Sequence, residues 1–386
     1  VDHTIGITID NAQTIDTNLR ISDFDYELPA ELIAQTPVEP RDSSRLLVVH
    51  RAQKVFEHRH FRAIGEYLRP GDLLIANQSR VIPARLLGRR AKSGGAAEVL
   101  LLTERPDLGR DYWETLVRPG RRLRKGAVIE FYNTNTNARS ELRLLAEVGE
   151  QTEAGGRLVH LRVPDEQRQI MNSSDLYNLI SVRQRIDELG QMPLPPYIHE
   201  TLEDPERYQT VYARVRGSAA APTAGLHFTP WLLEQLCQQG VAVGFVTLHV
   251  GLDTFRPVEH DQVSEHKIHS EEILLDEPTA ELIKNTKRAG GRVVAVGTTS
   301  MRVLESIASL YHGEIRPYQG QTCLFITPGY RFKVVDAMIT NFHLPRSTLL
   351  LLVSAFMGKE LMEQAYQAAI KERYRFFSFG DAMFLQ

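Results

Sequence analysis

Apolar positions between Asp72 and about Val163 recur in short runs: DLLIAN, VIPARLLG, AEVLLLTE, WETLVR, AVIEFY, ELRLLAEV and RLVHLRV. Gly94-Gly95, Pro119-Gly120 and Gly155-Gly156 punctuate them, and Asn133 to Asn137 reads as a polar loop tip. Regular short strands without a helical period predict a small β-barrel. The flanking pattern is different. Before it come a short helix at Ala30 to Gln35, two β-patterns at Arg45 to His50 and Val55 to Arg59, and an amphipathic stretch with Phe61, Ile64 and Leu68 on one face. After it Met171 to Ile186 is polar and helix-compatible, and Pro193-Leu194-Pro195-Pro196-Tyr197 is a rigid extended connector. Helix and strand then alternate. Pro230 to Gln238 follows Thr229 as N-cap, Val241 to His249 is a strand, Thr279 to Arg288 is a helix ending at Gly290-Gly291, and Arg292 to Val296 leads to the helix Met301 to Leu310. The expected class is therefore α/β: a larger domain with a mostly parallel sheet, plus an inserted small β-barrel domain. The implied division is an N-terminal tail at 1–21, a discontinuous α/β domain at 22–71 and 166–386, and the barrel at 72–165.

Composition changes this picture little. The chain has 386 residues, enough for two cores, with 42% apolar and 24% charged residues, which excludes disorder as its main state. No apolar run nears the ~20 residues of a membrane helix. The first residues have neither a basic nor an apolar signal region, and Cys237 and Cys323 lie far apart within apolar patterns. A cytoplasmic protein with two reduced core cysteines is expected, acting as a monomer away from membranes. Charge does change the picture. Net charge is −3, yet Arg80 to Lys125 holds twelve Lys/Arg against five acids, a local +7. That excess reads either as a solvated strand face or as a phosphate-contacting surface, with Arg118, Arg121, Arg122, Arg124 and Lys125 as candidate RNA contacts.

Candidate chemistry gathers in loops. Asp336 to Phe356, DAMITNFHLPRSTLLLLVSAF, has a strand-like run that breaks at Asn341-Phe342-His343 and restarts behind Ser347. Pro345 keeps Leu344 out of the helical region and Ser347 reads as an N-cap, so Asn341, Phe342, His343 and Arg346 sit in a pinned loop beside an anion-ready helix start. Gly297-Thr298-Thr299-Ser300 follows a strand and precedes Arg302; it is a ligand-binding turn or an ordinary cap, and Arg302 can pair with Glu305. GSAAAPTAGLHF offers close backbone approach at Gly225, with Thr223, His227 and Phe228, or is simply a flexible loop. His249 before Gly251 faces a cleft or is a satisfied core histidine. His269 and Glu271 share a strand face and can relay a proton. Tyr374, Arg375 and Asp381 in YRFFSFGD stack on a base or dock on the core. The spacing of His249, His269 and His343 does not suit a metal, and none is expected.

These segments resemble the S-adenosylmethionine:tRNA ribosyltransferase-isomerase family of queuosine biosynthesis. The likeness runs from about Ser22 to Leu385 and rests on DFDYELPAELIAQTP, RDSSRLLVV, the Asn77 to Leu86 run that contains Arg80, PLPPYI, GSAAAPTAGLHFT, TLHVGLDTFRPV, HSE, GTTSMRVLES, FKVVDAMITNFHLPRSTLLLLVSAF and YRFFSFGDAM. The resemblance implies an α/β domain with an inserted barrel. It also implies transfer and rearrangement of the ribosyl group of S-adenosylmethionine onto the aminomethyl group of a 7-deazaguanine at the tRNA wobble position, giving epoxyqueuosine and releasing adenine and methionine. S-adenosylmethionine is then a substrate, with no bound cofactor, and tRNA is the partner. Such chemistry needs donors for the methionine carboxylate, an acid for the leaving adenine, and a base for a proton next to the sulfonium. The Gly297 to Arg302 turn and Arg346 beside Ser347 compete for the first role. His227, His249, His269, Glu271 and His343 are the acid-base groups, and Phe228, Phe342 and Tyr374 the aromatic ones.

Two other classes compete. A non-enzymatic RNA-binding protein leaves the polar loops unexplained. A methyltransferase lacks its early glycine-rich turn and would not release adenine.

Overall fold

The computed structural model describes residues 8–9, 16–133, 141–152, 155–164, 181–251, 261–266, 268 and 270–386. The Asn133 to Asn137 loop tip beyond Asn133, most of the Met171 to Ile186 segment and His269 lie outside the described residues. The chain forms two compact units: Val1–Arg80 with Pro195–Val215 and Ala221–Gln386, and Val81–Leu194 with Arg216–Ala220.

In chain order the first unit opens with β1 (Thr8–Ile9), β2 (Arg45–His50), β3 (Val55–His60) and β4 (Leu73–Asn77), and β5 (Ser79–Val81) leads out of it. The second unit holds β6 (Arg85–Arg90), β7 (Ala96–Glu104), β8 (Tyr112–Arg118), β9 (Val128–Asn133), β10 (Glu141–Gln151), β11 (Arg157–Arg162), helix α1 (Val182–Leu189) and β12 (Gly190–Gln191). After β13 (Val215–Ser218) the first unit continues with α2 (Pro230–Gln238), β14 (Ala242–Leu248), β15 (Glu271–Leu275), α3 (Glu277–Arg288) and β16 (Val293–Val296). It is completed by α4 (Gly297–Leu310), β17 (Tyr318–Thr322), β18 (Ala337–Asn341), α5 (Thr348–Met357), α6 (Lys359–Lys371) and β19 (Ala382–Leu385).

The large sheet runs β1-β17-β15-β14-β4-β16-β18-β19-β2-β3. Its centre, β14-β4-β16-β18, is parallel throughout, while β15 and β19 add antiparallel neighbours on either side. The expected α/β class is thus present, with a mixed sheet whose parallel pairing is concentrated at its centre. DLLIAN belongs to this sheet and not to the barrel: β4 pairs parallel with both β14 and β16, and all five of its residues are buried. A continuous apolar run marks a strand covered on both faces, whereas a barrel strand alternates. At the N-terminal edge of this centre Arg292 forms a 2.6 Å ion pair with buried Asp72, clipping β16 to β4. Both strands then deliver their far ends to one place.

The second unit is a closed barrel, β6-β7-β8-β11-β10-β9, sealed by pairing of β6 with β9 at Arg89 and Glu130. Closure leaves no edge among these strands. Leu86, Val99, Leu101, Phe131, Leu144 and Leu161 fill it, and Val182 and Ile186 of α1 pack into the same cluster.

Local expectations mostly survive with shifted ends. Thr229 caps α2 by accepting from the Leu232 amide, and Phe61, Ile64 and Leu68 are all buried, although their stretch is a 3-10 turn. Cys237 differs, being exposed: it lies one residue past buried Leu236, about 100° further round the helix. Among the described residues no helix is long and apolar enough to cross a membrane.

Candidate active site

β16 ends in a fully buried VVAV and passes straight into α4 through Gly297 at φ +88°, a turn that disfavours any residue with a Cβ. The helix therefore begins at Gly297, four residues before Met301. Gly-Thr-Thr-Ser is its first turn rather than a loop ahead of it. Among the described residues no side chain caps this end, so its leading amides keep their hydrogens for a ligand. They face a cleft whose wall includes Gly297, Thr298 and Thr299, and the buried Thr299 Oγ1 has no hydrogen-bond partner. Ser300 is turned away, its hydroxyl bonding the Val296 carbonyl at 2.8 Å.

The neighbouring strand β18 supplies the opposite wall. Its last residue, Asn341, is buried and has both ends of its amide engaged: Thr223 Oγ1 donates to Oδ1 at 3.2 Å, while Nδ2 donates to the Phe377 carbonyl at 3.0 Å and lies 3.2 Å from His227 Nε2. His227 Nε2 then accepts, so its Nδ1 carries the proton and donates to Ser44 Oγ at 2.8 Å. Enclosure, reinforced by Arg41 and Arg375, pushes the His227 pKa down to about 3. His227 stacks on Phe61 and lies behind Asn341 rather than in the cleft wall. His343 does line the cleft. Its Nε2 meets Thr340 Oγ1 at 2.8 Å, its amide donates to Tyr366 Oη at 3.0 Å, and its carbonyl accepts from Tyr26. Burial holds its pKa near about 3 as well, so the ring is neutral at physiological pH. Ser347 closes the loop as the α5 N-cap, accepting from Leu350 and donating to Leu344 at 2.7 Å.

The C-terminal motif enters the cleft through residues the sequence did not single out. Phe377 and Ser378 line it, joined by Tyr197 from the proline-rich connector, whose ring lies 4.9 Å from that of Phe377 and whose hydroxyl is 2.7 Å from Ser378 Oγ. Phe377 has φ +70°, a left-handed backbone that costs a bulky residue about 1–3 kcal/mol and persists where surroundings over-determine it. Those surroundings are Asn341 on its carbonyl and the Phe342 carbonyl on its amide at 3.1 Å.

Other candidates lie elsewhere. Tyr374 is buried beneath the Arg45 guanidinium, 3.8 Å from its ring centre, with His58 at 2.8 Å from its hydroxyl. Asp381 accepts from the Arg45 and Arg375 amides at 2.7 Å each, and Arg375 reaches the Thr36 carbonyl; these are fold-pinning contacts. Phe228 packs edge-on against Phe61 in the core, and Gly225 lies buried in the turn Thr223–His227. Phe342 touches the cleft but buries its ring among Tyr366, Tyr374 and Phe376. Arg302 pairs with Glu271 and not with Glu305, which instead accepts from the Lys333, Val334 and Val335 amides. His249 and Gly251 flank the cleft residue Val250, with burial lowering the His249 pKa. Arg346 is exposed at φ +56° and outside the cleft lining, and Arg80 pairs with Glu206. Tyr197 and Thr340 carried signals within quoted motifs, but a tyrosine in a connector and a threonine in a strand have no distinctive spacing.

On the barrel, Arg118, Arg121, Arg122, Arg124 and Lys125 are all exposed. Lys125 pairs with Glu150, whereas no acid among the described residues pairs with the four arginines. Arg121 also borders a groove with Gly120, Gly155, Gly156 and Arg157. Among the described residues no three His, Cys, Asp or Glu side chains cluster as metal ligands.

The arrangement thus offers an anion-ready helix end, a neutral imidazole and an aromatic wall at the carboxyl ends of parallel strands, where open α/β sheets bind ligands. Comparison with known proteins agrees with a single family. The family described as queuosine biosynthesis protein matches residues 21–385. A protein of Symbiobacterium thermophilum named S-adenosylmethionine:tRNA ribosyltransferase-isomerase is 54% identical over 95% of this chain and 100% of its own. A protein of that name from Natranaerobius thermophilus is 51% identical with the same coverage. The crystal structure of an S-adenosylmethionine tRNA ribosyltransferase from Thermotoga maritima, 40% identical, superposes with a TM-score of 0.52 over 95% of this chain and 100% of its own. The chain belongs to the queuosine biosynthesis protein family.

Proposed function

We infer that this protein is an S-adenosylmethionine:tRNA ribosyltransferase-isomerase. It transfers and isomerises the ribosyl moiety of S-adenosylmethionine onto the aminomethyl-7-deazaguanine base at the tRNA wobble position, forming epoxyqueuosine and releasing adenine and methionine. The observation that carries the assignment of the site is the uncapped α4 terminus facing the His343 loop across one cleft. The leading amides of α4 and the Thr299 hydroxyl hold the methionine carboxylate, because a helix N-terminus favours an anion and this one has no side-chain cap among the described residues. His343, which lines the cleft, takes the proton next to the sulfonium: the adjacent positive sulfur acidifies that carbon, which offsets the basicity that burial removes from the imidazole. His227 acts at one remove, as a positioning residue that fixes Asn341. The barrel arginines and exposed Arg346 neutralise tRNA phosphates. The enzyme works as a cytoplasmic monomer.

The test is incubation with S-adenosylmethionine and tRNA carrying the aminomethyl base, with free adenine as readout. Adenine appears in proportion to modified tRNA. Release that is independent of that tRNA, or no release, would refute the assignment.

A further inference from the structure

Between β18, which ends at Asn341, and α5, which begins at Thr348, no strand or helix ladder serves the backbone of the His343 loop. Its buried polar groups must find partners elsewhere. Tyr366 of α6 accepts from the His343 amide at 3.0 Å, and Tyr26 donates to the His343 carbonyl. Further along the loop, the Arg346 amide donates to the Phe24 carbonyl at 2.9 Å, so the segment that carries Tyr26 grips the loop twice. The two tyrosines are themselves in contact, with ring centroids 5.1 Å apart and planes inclined by 68°. Desolvation, and after it the nearness of Tyr366, pushes the Tyr26 pKa far above its ordinary value, so its hydroxyl keeps the proton it donates.

A residue's N–H fixes the peptide plane before it, and its C=O fixes the plane after it. Once both planes are set, the direction of the Cα–Cβ bond is set too. At His343 each plane is held by one tyrosine hydroxyl, and Thr340 Oγ1 holds the ring at Nε2, 2.8 Å away. We propose that Tyr26 and Tyr366 are positioning residues for the reaction, aiming the His343 imidazole at the ribosyl carbon bonded to the sulfonium. This rests on the reading of His343 as the base, and it gives the tyrosine of DFDYELP a place in the chemistry. Such aim matters because a misplacement of about 1 Å costs about 10²-fold in rate.

The experiment compares kcat, KM for S-adenosylmethionine and thermal melting in full-length Tyr26→Phe, Tyr366→Phe, His343→Ala and the double variant of Tyr26→Phe with His343→Ala. Adenine release is the rate readout. Each phenylalanine keeps the ring and its packing and removes one hydroxyl, so melting falls by only about 2 °C. In each of the two tyrosine variants kcat falls about tenfold, the size of one net hydrogen bond, while KM for S-adenosylmethionine stays within about twofold. Added to His343→Ala, Tyr26→Phe lowers kcat no further, because no imidazole remains to be aimed. An unchanged kcat in either tyrosine variant overturns the proposal. So does a loss that falls on KM and melting instead of kcat, or one that repeats in full on top of His343→Ala. A kcat that His343→Ala leaves intact would instead defeat the reading of His343 as the base.

Discussion

The cleft and the barrel surface treat polar groups in opposite ways. Around the cleft, Asn341, His227, Thr223 and Ser44 satisfy one another, and the imidazoles of His227 and His343 are held neutral by burial. On the barrel, Arg118, Arg121, Arg122 and Arg124 are exposed and unmatched by acids among the described residues. Buried polar groups need partners, and their network fixes a geometry; exposed cations need none and remain available to a long polyanion. The first arrangement suits chemistry on a small molecule, and the second suits affinity for RNA backbone.

Substitutions that split the two behaviours sharpen this contrast, and the largest effect is expected at His343. His343→Ala lowers kcat by about 10²–10⁴-fold, the range for a lost acid-base group, with tRNA affinity unchanged. Steady-state kinetics beside tRNA binding checks it, and a matching loss of tRNA affinity would blur the division between the regions.

Acid sensitivity comes next. With folded pKa values of about 3 for His227 and His343 against an unfolded value near 6.5, the unfolded chain binds more protons between those limits. Stability is therefore full above about pH 6.5 and falls as pH drops toward 3, by ~1.4 kcal/mol per pH unit for each histidine. Melting curves across that window follow it, and His227→Asn makes the fall shallower. An unaltered slope in that variant would show that His227 is not held neutral.

Replacing Arg118, Arg121 and Arg122 together by Gln weakens tRNA binding and makes its salt dependence shallower by about 2 units of log–log slope, while kcat at saturating tRNA is retained. An unchanged slope would remove this face from the RNA surface. The smallest effect is that of Thr299→Val. It deletes a hydroxyl with no partner in the free protein, so melting is unchanged while KM for S-adenosylmethionine rises by about threefold to tenfold.

The fold was legible where burial leaves a periodic trace. Alternation exposed the barrel, and the βα turns exposed the parallel centre of the large sheet. DLLIAN went to the wrong unit because an apolar run records burial on two faces without recording which sheet provides it. The site was legible as motifs but not as individual side chains. GTTS, NFHLP, APTAG and FFSF all reach one cleft, yet within YRFFSFGD the sequence favoured Tyr374 and Asp381 over Phe377 and Ser378. Neighbouring residues of an irregular segment point in different directions, and the positive φ of Phe377 goes with its carbonyl's contact with Asn341 on a distant strand. The pairing of Arg302 with Glu271 was hidden for the same reason: β15 and α4 meet only in the folded chain.

The central claim is that the cleft at the ends of β16 and β18 is where S-adenosylmethionine binds. Amide hydrogen exchange, comparing the enzyme with modified tRNA alone and with S-adenosylmethionine added, tests it most directly. The account predicts added protection at Gly297 to Thr299 and at Asn341 to Leu344, with the barrel strands unchanged. Protection confined to the barrel, or absent from the α4 terminus, would contradict it.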